Sequence, residues 1–442
     1  MKYRIAILCL LFLAVSAYAD RVRVRLFSNN SIDLINVSFD LGDYDIVAGD
    51  GTVIDTAVGE GKSVELTPRS GKVHVAINGY DYGSHTSVTL AANDTACILC
   101  LNPRNVKQRT YEGNLIASVD KLGKLLLIND VEFETYIAGV VQSEIYGDNP
   151  DIFRVQAIIS RTWALRNINK HRADGYNFCD QVHCQAYLNR CVRPDIMLGT
   201  IQSSGQTIVD ADGQLIETPF HSNSGGETAN SENVWRAALP YLRSVTDTFS
   251  YRMRQSDWVK VIDVDKWLNY FANKHHLDIH DDSIHNELLT FSQTHRKARI
   301  CNIPLTRIRS DFQLKSTYFT VLYDSLQHHV TLSGHGYGHG VGLSQEGTIR
   351  MVGLGISYDS IIRHYYTGAL IHYDEEHPHS YVENYVRHIT QIIEEDRQRT
   401  SRVKSKSDDW LGRLFRLRDR EEREETYNPD PDDIEGEWQY DW

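Results

Sequence analysis

The chain has 442 residues, 41% hydrophobic and 24% charged, enough apolar material for a sizeable core spread over two or three domains. Its net charge of −13 is uneven: residues 421–442 hold ten acids against one arginine, so they account for −9 and the rest for only about −4. Neither part carries the basic footprint that nucleic acid selects, and no nucleic-acid partner is expected.

The chain opens "MKYRIAILCLLFLAVSAYAD". Lys2 and Arg4 form a basic lead, residues 5–15 an apolar run short of a bilayer span, and Ala17-Tyr18-Ala19 a small-residue cleavage pattern. Residues 1–19 therefore read as a signal peptide, and the expected location is the periplasm or cell envelope. Six cysteines follow: Cys97, Cys100, Cys179, Cys184, Cys191 and Cys301. An oxidising compartment permits disulfides, and the even number fits pairing without dictating it.

Residues 20–104 read as a small β module, with alternating runs such as "RVRVRLF", "KVHVAI" and "SVTL" between Gly, Asn and Asp. Cys97 and Cys100 form a C-x-x-C without a second pair at zinc-knuckle spacing, which favours a structural role. The strand pattern continues through "NLIASVDKLGKLLLIND". A helix follows in "NPDIFRVQAIISRTWALRNINKH", with Asn149 as cap and Pro150 as the first helical residue. Residues 200–245 return to short strands and turns, residues 255–300 form a charged, helical insertion, and "STYFTVLYDSLQHHVTLSG" reads as a hairpin. Beyond Asp374, "SYVENYVRHITQIIEEDRQR" is an amphipathic helix with a capping box at Ser380 and Glu383. A linker, a second amphipathic stretch and the acidic end complete a tail over residues 375–442. The expected fold class is α+β: one domain over 105–374, a β module before it and a helical tail after it.

Residues 334–347, "GHGYGHGVGLSQEG", combine six glycines with two histidines. A phosphate cradle is excluded by the absent P-loop lysine and the wrong glycine spacing. His335 and His339 stand four apart, a spacing that joins metal ligands only on a helix, and this glycine content opposes a helix. The remaining reading is a loop lying close against a bulky polymer, because glycine lets backbone approach a ligand.

Here the chain resembles a known family. "GYGHGVGLSQEGTIRMVGLGISYDSIIRHYYTGALI" resembles the C-terminal signature of the SpoIID/LytB family, the stage II sporulation protein D group. "FETYIAGVVQSEIYGDNPDIFRVQAIISRTWALRN" is similar to its catalytic segment, "CDQVHCQAY" to its cysteine–histidine loop and "TPFHSNSGGETANSENVW" to its F-H-S-x-S-G-G element. These elements stand in the family's order over residues 105–373, and the resemblance implies that the domain over 105–374 is catalytic and has a substrate cleft. The resemblance implies a peptidoglycan lytic transglycosylase, which cuts between N-acetylmuramic acid and N-acetylglucosamine and leaves a 1,6-anhydro end. Relatives named as amidase enhancers supply the alternative: a non-catalytic protein that binds peptidoglycan and stimulates an amidase. The third alternative is a water-using glycosidase with a second carboxylate such as Glu227.

Under that resemblance Glu144, placed between the apolar run "YIAGVV" and Gly147, is the expected acid and base. Arg161 either binds acidic sugar substituents, orients Glu144 or forms a surface ion pair; Gln156 lies near it on the helix. His221, Ser222 and Ser224 are expected to hydrogen-bond the sugar from one wall, and Tyr337, His339, Ser344 and Gln345 from the other. Trp163, Trp235, Tyr337 and Tyr365 either stack on sugars or pack in the core. Cys179, His183 and Cys184, with His171 eight residues upstream of Cys179, hold a structural zinc or else a disulfide forms, Cys179–Cys184 or Cys184–Cys191. No cofactor is required for the chemistry. The expected partners are peptidoglycan glycan strands and, through the tail, a cell-wall amidase or another protein.

Overall fold

The computed structural model describes residues 21–374. The expected signal peptide, the helices beyond Asp374 and the acidic end lie outside the described residues.

Alternation along the first strands sets which face is buried. In Arg21–Leu26 the side chains of Val22, Val24 and Leu26 point inward while Arg21 and Arg23 face solvent. Two sheets result. A seven-stranded sheet runs in the order Phe178–Cys179, Arg21–Leu26, Leu125–Glu132, Asn114–Val119, Ser87–Ala92, Tyr44–Ala48 and Val53–Val58. A six-stranded sheet runs Arg109–Glu112, Ile98–Pro103, Ile35–Leu41, Ser63–Arg69, Lys72–Ile77 and Tyr80–His85. Their apolar faces belong to one core, in which Val24, Ile46, Val75, Leu90, Leu99 and Leu115 are wholly buried.

This sheet runs through the expected boundary at residue 104. Arg21–Leu26 pairs antiparallel with Leu125–Glu132, and Asn114–Val119 joins that strand to Ser87–Ala92. The β module and the start of the next segment thus share hydrogen bonds and a core. Alternation identifies strands but not their partners, so sequence periodicity alone does not reveal such a crossing.

Strand Leu125–Glu132 passes directly into helix α1 (Phe133–Glu144), followed by α2 (Pro150–Arg166) and, after a long loop, α3 (Pro194–Gln202). Helix α2 begins as its sequence predicts: the Asn149 side chain accepts the Asp151 N–H at 2.9 Å and Pro150 is the first helical residue. From Ile152 to Ala164 it is buried on nearly every side except at Arg154, so it forms the axis of this lobe. Around it lie the pair Gln206–Val209 and Leu370–Tyr373, the parallel pair Phe220–His221 and Leu343–Ser344, and the helices Gln345–Gly353 and Tyr358–Tyr365.

Residues 257–335 form a unit with a separate core. Strands Asp257–Asp263, His329–His335 and Phe319–Asp324 make an antiparallel sheet. With helices Val264–His275, Asp282–Thr290 and Leu305–Asp311 it encloses Trp258, Trp267, Phe271, Leu288 and Phe319. The expected hairpin is therefore two strands of the inserted unit, which extends well past residue 300. The architecture is α+β. Among the described residues no helix is long and apolar enough to cross a membrane.

Candidate active site

Glu144 is the last residue of α1. The run before it, Tyr136 to Val141, is buried without exception, which draws the end of the helix and its carboxyl toward the interior. The half-buried carboxyl receives one hydrogen bond at Oε1, 2.6 Å from the Ala186 N–H. Burial pushes its pKa up to about 7, and the Ala186 N–H opposes that rise. The helix C-terminus acts in the same direction as burial, because its carbonyls disfavour a nearby anion.

The segment starting at Ser344 meets Glu144 from the other side. Ser344 caps helix Gln345–Gly353 by accepting from the Gly347 N–H. The Gln345 Nε2 donates to the Glu144 carbonyl at 2.8 Å and lies 3.5 Å from Gln156 Oε1. Glu346, wholly buried, accepts from Tyr146 Oη at 2.7 Å, Asn223 Nδ2 at 2.6 Å and the Gln255 N–H at 3.0 Å. It thereby ties the chain just after Glu144 to the 221–226 loop and the base of the inserted unit. Sequence reasoning missed Glu346, Tyr146 and Asn223. An acid in a first helical turn reads as ordinary complement to the helix dipole, and its three donors come from distant segments.

The glycine-rich segment answers to packing within the protein. At Gly338, φ +112°, a Cβ would lie 2.7 Å from His221 Cβ; at Gly340, φ +84°, it would meet the Arg296 guanidinium at 2.8 Å. Tyr337 and Asn223 exchange backbone hydrogen bonds, so this segment crosses the 221–226 loop at closest approach. Close approach to a polymer is thus not what these glycines are required for. His335 is exposed and bound to Asp257 at 2.7 Å, apart from any pairing with His339.

Beside that crossing lie His221 and His339, their rings 5.4 Å apart, with Trp235 5.2 Å from His339. His221 is buried; its Nδ1 meets the Val341 carbonyl at 3.1 Å, leaving Nε2 as the acceptor, with no partner among the described residues. Burial above all, then His339, holds its pKa far below the ordinary imidazole range. Burial chiefly, with Arg309, lowers His339 to about 3. Both imidazoles are therefore neutral at physiological pH. Ser222, Tyr337, His339 and Gln345 are half-buried and remain in reach of a ligand.

Several expected contacts take other roles. Arg161 is wholly buried: Nε and Nη2 each lie 2.7 Å from a Glu134 oxygen, and Nη1 donates to the Gln206 carbonyl at 3.1 Å. It binds the start of α1 to α2 and cannot touch a sugar. Ser224 and Ser344 are equally buried, Ser224 Oγ donating to Asp247 Oδ2 at 2.7 Å and Ser344 Oγ lying 2.8 Å from Ser250 Oγ, so both support the site from behind. Trp163 packs on Phe178 and Tyr365 is fully enclosed, leaving Trp235 and Tyr337 as the accessible aromatics of the four. Glu227 receives the Ser244 hydroxyl at 3.0 Å and the Arg296 N–H at 3.1 Å, where the inserted unit docks.

The cysteine–histidine loop forms a four-donor cluster. Ligand atoms of His171, Cys179, His183 and Cys184 all lie within 4.8 Å of one another. Cys184 Sγ is 3.4 Å from His171 Nε2 and 3.8 Å from His183 Nδ1, and Cys179 Sγ is 3.7 Å from His183 Nδ1. These separations bracket the ~3.6 Å expected between nitrogen and sulfur on one tetrahedral zinc, given bonds of about 2.1 and 2.3 Å. His171 Nδ1 faces Asp174 at 3.5 Å, the outer contact that orients a ligating imidazole. All six cysteines of the described residues carry free thiols, so neither expected disulfide is formed. The donor set fits zinc, and His171 joins the three residues expected from sequence.

This cluster opens the segment that grips the end of α1. Gln185 Oε1 accepts from Tyr136 Oη at 3.3 Å, Ala186 N–H reaches Glu144, Leu188 N–H reaches Ser143 Oγ at 3.2 Å and Val192 N–H reaches Gln142 Oε1 at 2.7 Å. The single donor on Glu144 is thus two residues beyond a cluster ligand.

Residues 121–213 match the family model described as "SpoIID: Stage II sporulation protein". The chain is 25% identical over 271 residues to Stage II sporulation protein D of Bacillus subtilis (strain 168), covering 55% of this chain and 75% of that protein. It is 26% identical over 258 residues to an uncharacterized protein of Brachyspira hyodysenteriae, covering 55% of this chain and 68% of that protein. It is 24% identical over 290 residues to the Amidase enhancer of B. subtilis (strain 168), covering 53% of this chain and 40% of that protein.

Proposed function

Because this chain carries a SpoIID family domain across residues 121–213, we propose that it is a peptidoglycan lytic transglycosylase with Glu144 as its acid and base. One observation carries the reading: Glu144 is half-buried with one hydrogen-bond donor, and its pKa stands at about 7. Such a group holds a proton under the conditions in which it must deliver one, and gives it up readily enough to take one back.

The protonated carboxyl donates to the glycosidic oxygen as the bond from C1 of N-acetylmuramic acid breaks. The N-acetylglucosamine end leaves with that proton as its free hydroxyl. The 6-hydroxyl of the same muramic residue attacks C1, and its proton passes to the Glu144 carboxylate. No water is consumed, and the acid is restored. A water-using glycosidase needs a second working carboxylate. Glu227 is bound to Arg296 and Ser244, and Glu346 is closed over by three donors, which supports the intramolecular route.

His171, Cys179, His183 and Cys184 would hold a zinc ion whose contribution is structural: it closes the loop from which Ala186 reaches Glu144. Ser222, Tyr337, His339 and Gln345 bind sugar hydroxyls and N-acetyl groups. The protein acts after export, in the cell envelope. Residues 375–442 engage a protein partner such as a cell-wall amidase and take no part in bond cleavage.

Similarity to the Amidase enhancer favours a second reading, glycan binding without cleavage. Mass spectrometry of glycan strands incubated with the purified protein separates the two. Anhydro ends, lighter than hydrolytic ends by one water, support the transglycosylase; intact strands with retained binding support the enhancer; hydrolytic ends overturn both.

A further inference from the structure

The proposed chemistry leaves the inserted unit, residues 257–335, without a task. Apart from Arg296 against Gly340, it meets the glycine-rich segment at a turn: the Leu314 N–H bonds to Arg309 O at 2.8 Å, and the Gly338 N–H bonds to Lys315 O at 2.9 Å. Two cations stand on that turn. Lys315 is exposed, its ammonium 5.6 Å from the centre of the Tyr337 ring. Arg309 is half-buried, and its Nε donates to the Leu314 carbonyl at 3.2 Å, a bond that does not engage the two Nη groups.

Among the other enclosed arginines, Arg109 meets Asp180 at 2.7 Å, Arg161 meets Glu134 at 2.7 Å and Arg190 meets Glu112 at 3.1 Å. Arg154 lies over the Tyr358 ring, and Arg296 gives its guanidinium to the Glu227 and Ser224 carbonyls at 2.6 and 2.7 Å. Arg309 has no carboxylate within ion-pair distance among the described residues. The titratable groups close enough to interact with it are Tyr337, His221, His339 and Arg296; the two imidazoles are neutral and Arg296 is a further cation. A partly desolvated guanidinium without a counter-charge costs free energy that a bound anion would return. The same cluster holds the buried, unpartnered acceptor Nε2 of His221 and the half-buried plates of Tyr337 and Trp235. Cations, the neutral acceptor of His221 and accessible aromatics together suit a sugar that bears an acid.

We propose that Arg309, with Lys315 beside it, receives a carboxylate of the glycan polymer, so that the inserted unit is the anion-selecting wall of the binding surface. The inference rests on the glycan reading above. The planar fork of arginine matches a carboxylate through two parallel N–H bonds, while lysine adds a point charge. The carboxylate has two sources. On a strand stripped of peptides it is the lactyl group of muramic acid; on a peptide-bearing strand the lactyl group is an amide and only the peptide offers carboxylates.

The test measures binding of the full chain carrying Glu144→Gln, so that strands are not consumed. The probes are stripped strands, peptide-bearing strands, and stripped strands whose carboxylates have been converted to amides. Arg309→Gln is expected to weaken binding of a carboxylate-bearing strand about 10-fold and to leave the amidated strand unaffected. A loss confined to stripped strands assigns the lactyl group, and a loss confined to peptide-bearing strands assigns the peptide. Equal losses on charged and amidated strands, or no loss on any, overturn the proposal. If Arg309→Gln does not fold, Lys315→Glu at an exposed position reads the same selectivity, and its absence likewise overturns it. A parent protein that binds none of the three polymers overturns the glycan reading and this inference with it. A parent that binds all three equally overturns this inference alone.

Discussion

The two ends of α1 carry the same residue in opposite circumstances. Glu134, in the first turn, faces the guanidinium of Arg161 with both oxygens at 2.7 Å, in a fully buried pair. Glu144, ten residues on and roughly 15 Å away along the axis, has one N–H and no cation at its oxygens. Burial acts on both. At Glu134 a buried cation answers it and the carboxylate becomes a strut; at Glu144, with a single N–H, burial pushes the pKa up to about 7. The partner, rather than burial or residue type, sorts structural acids from working ones.

The sharpest way to break this contrast is to remove the proton at one end. Glu144→Gln keeps the shape of the protonated acid and is expected to lower turnover on the order of 10²- to 10⁴-fold with glycan binding retained, read by release of anhydro ends. Turnover within a few-fold of the parent would falsify the assignment. At the other end, Arg161→Ala leaves Glu134 buried and unpaired, and is expected to cost about 3–5 kcal/mol in denaturant unfolding. Replacing both partners, Arg161→Met with Glu134→Leu, is expected to recover much of that loss; if the double variant remains as unstable as the single, the pair does more than hold two helices.

The loop gripping Glu144 gives a third test. Purified protein is expected to contain about one equivalent of zinc by elemental analysis, and chelation is expected to lower its melting temperature. An intact mass about two daltons below that of the all-thiol chain, with no metal, would instead show a disulfide.

The smallest effect concerns pH. The Glu144 pKa is raised in the folded state, from 4.5 to about 7, so its protonated form stabilises the fold fully below about 4.5, and that contribution is lost as pH rises towards 7. Glu144→Gln cannot lose it. The variant is therefore expected to match the parent near pH 4 and to exceed it by on the order of 2 kcal/mol at pH 8, a figure below the full shift because the carboxyl is only half-buried. In the parent, kcat/KM is expected to fall about tenfold per pH unit above 7, as the acid form disappears. Coincident stability curves would mean that Glu144 ionises like a surface carboxylate.

Much of this contrast is legible only in part from sequence. The cap of α2 is local chemistry, and Asn149 with Pro150 announces it. Glu144 stands out through the family resemblance; the apolar run before it and the turn after it fit the role, but on their own they suit a surface glutamate as well. Arg161 is ambiguous until its partner is known, and Glu134 lies 27 residues away on another helix. Ser224 and Ser344 look like ligands for sugar because hydroxyls beside glycines suit that role; only the tertiary crossing turns them inward to Asp247 and Ser250. The glycines mark close approach correctly, but a single chain does not say whether the approaching body is a ligand or its own backbone. Arg309 was invisible for the converse reason, since a missing partner leaves no mark on the sequence.

The pairing of Arg21–Leu26 with Leu125–Glu132 has a consequence for the order in which the protein takes shape. The Arg21 side chain reaches Asp130 across 109 residues of chain. A ribosome delivers the first strand early and its partner late, so the opening strand waits with an uncovered edge while the intervening strands emerge. Contacts of such sequence separation are slow to close. Because α1 follows directly on the late-arriving strand, the position of Glu144 relative to the sheet is fixed only when that strand has paired. On the proposed function, glycan cleavage is therefore expected only from molecules in which this sheet has closed.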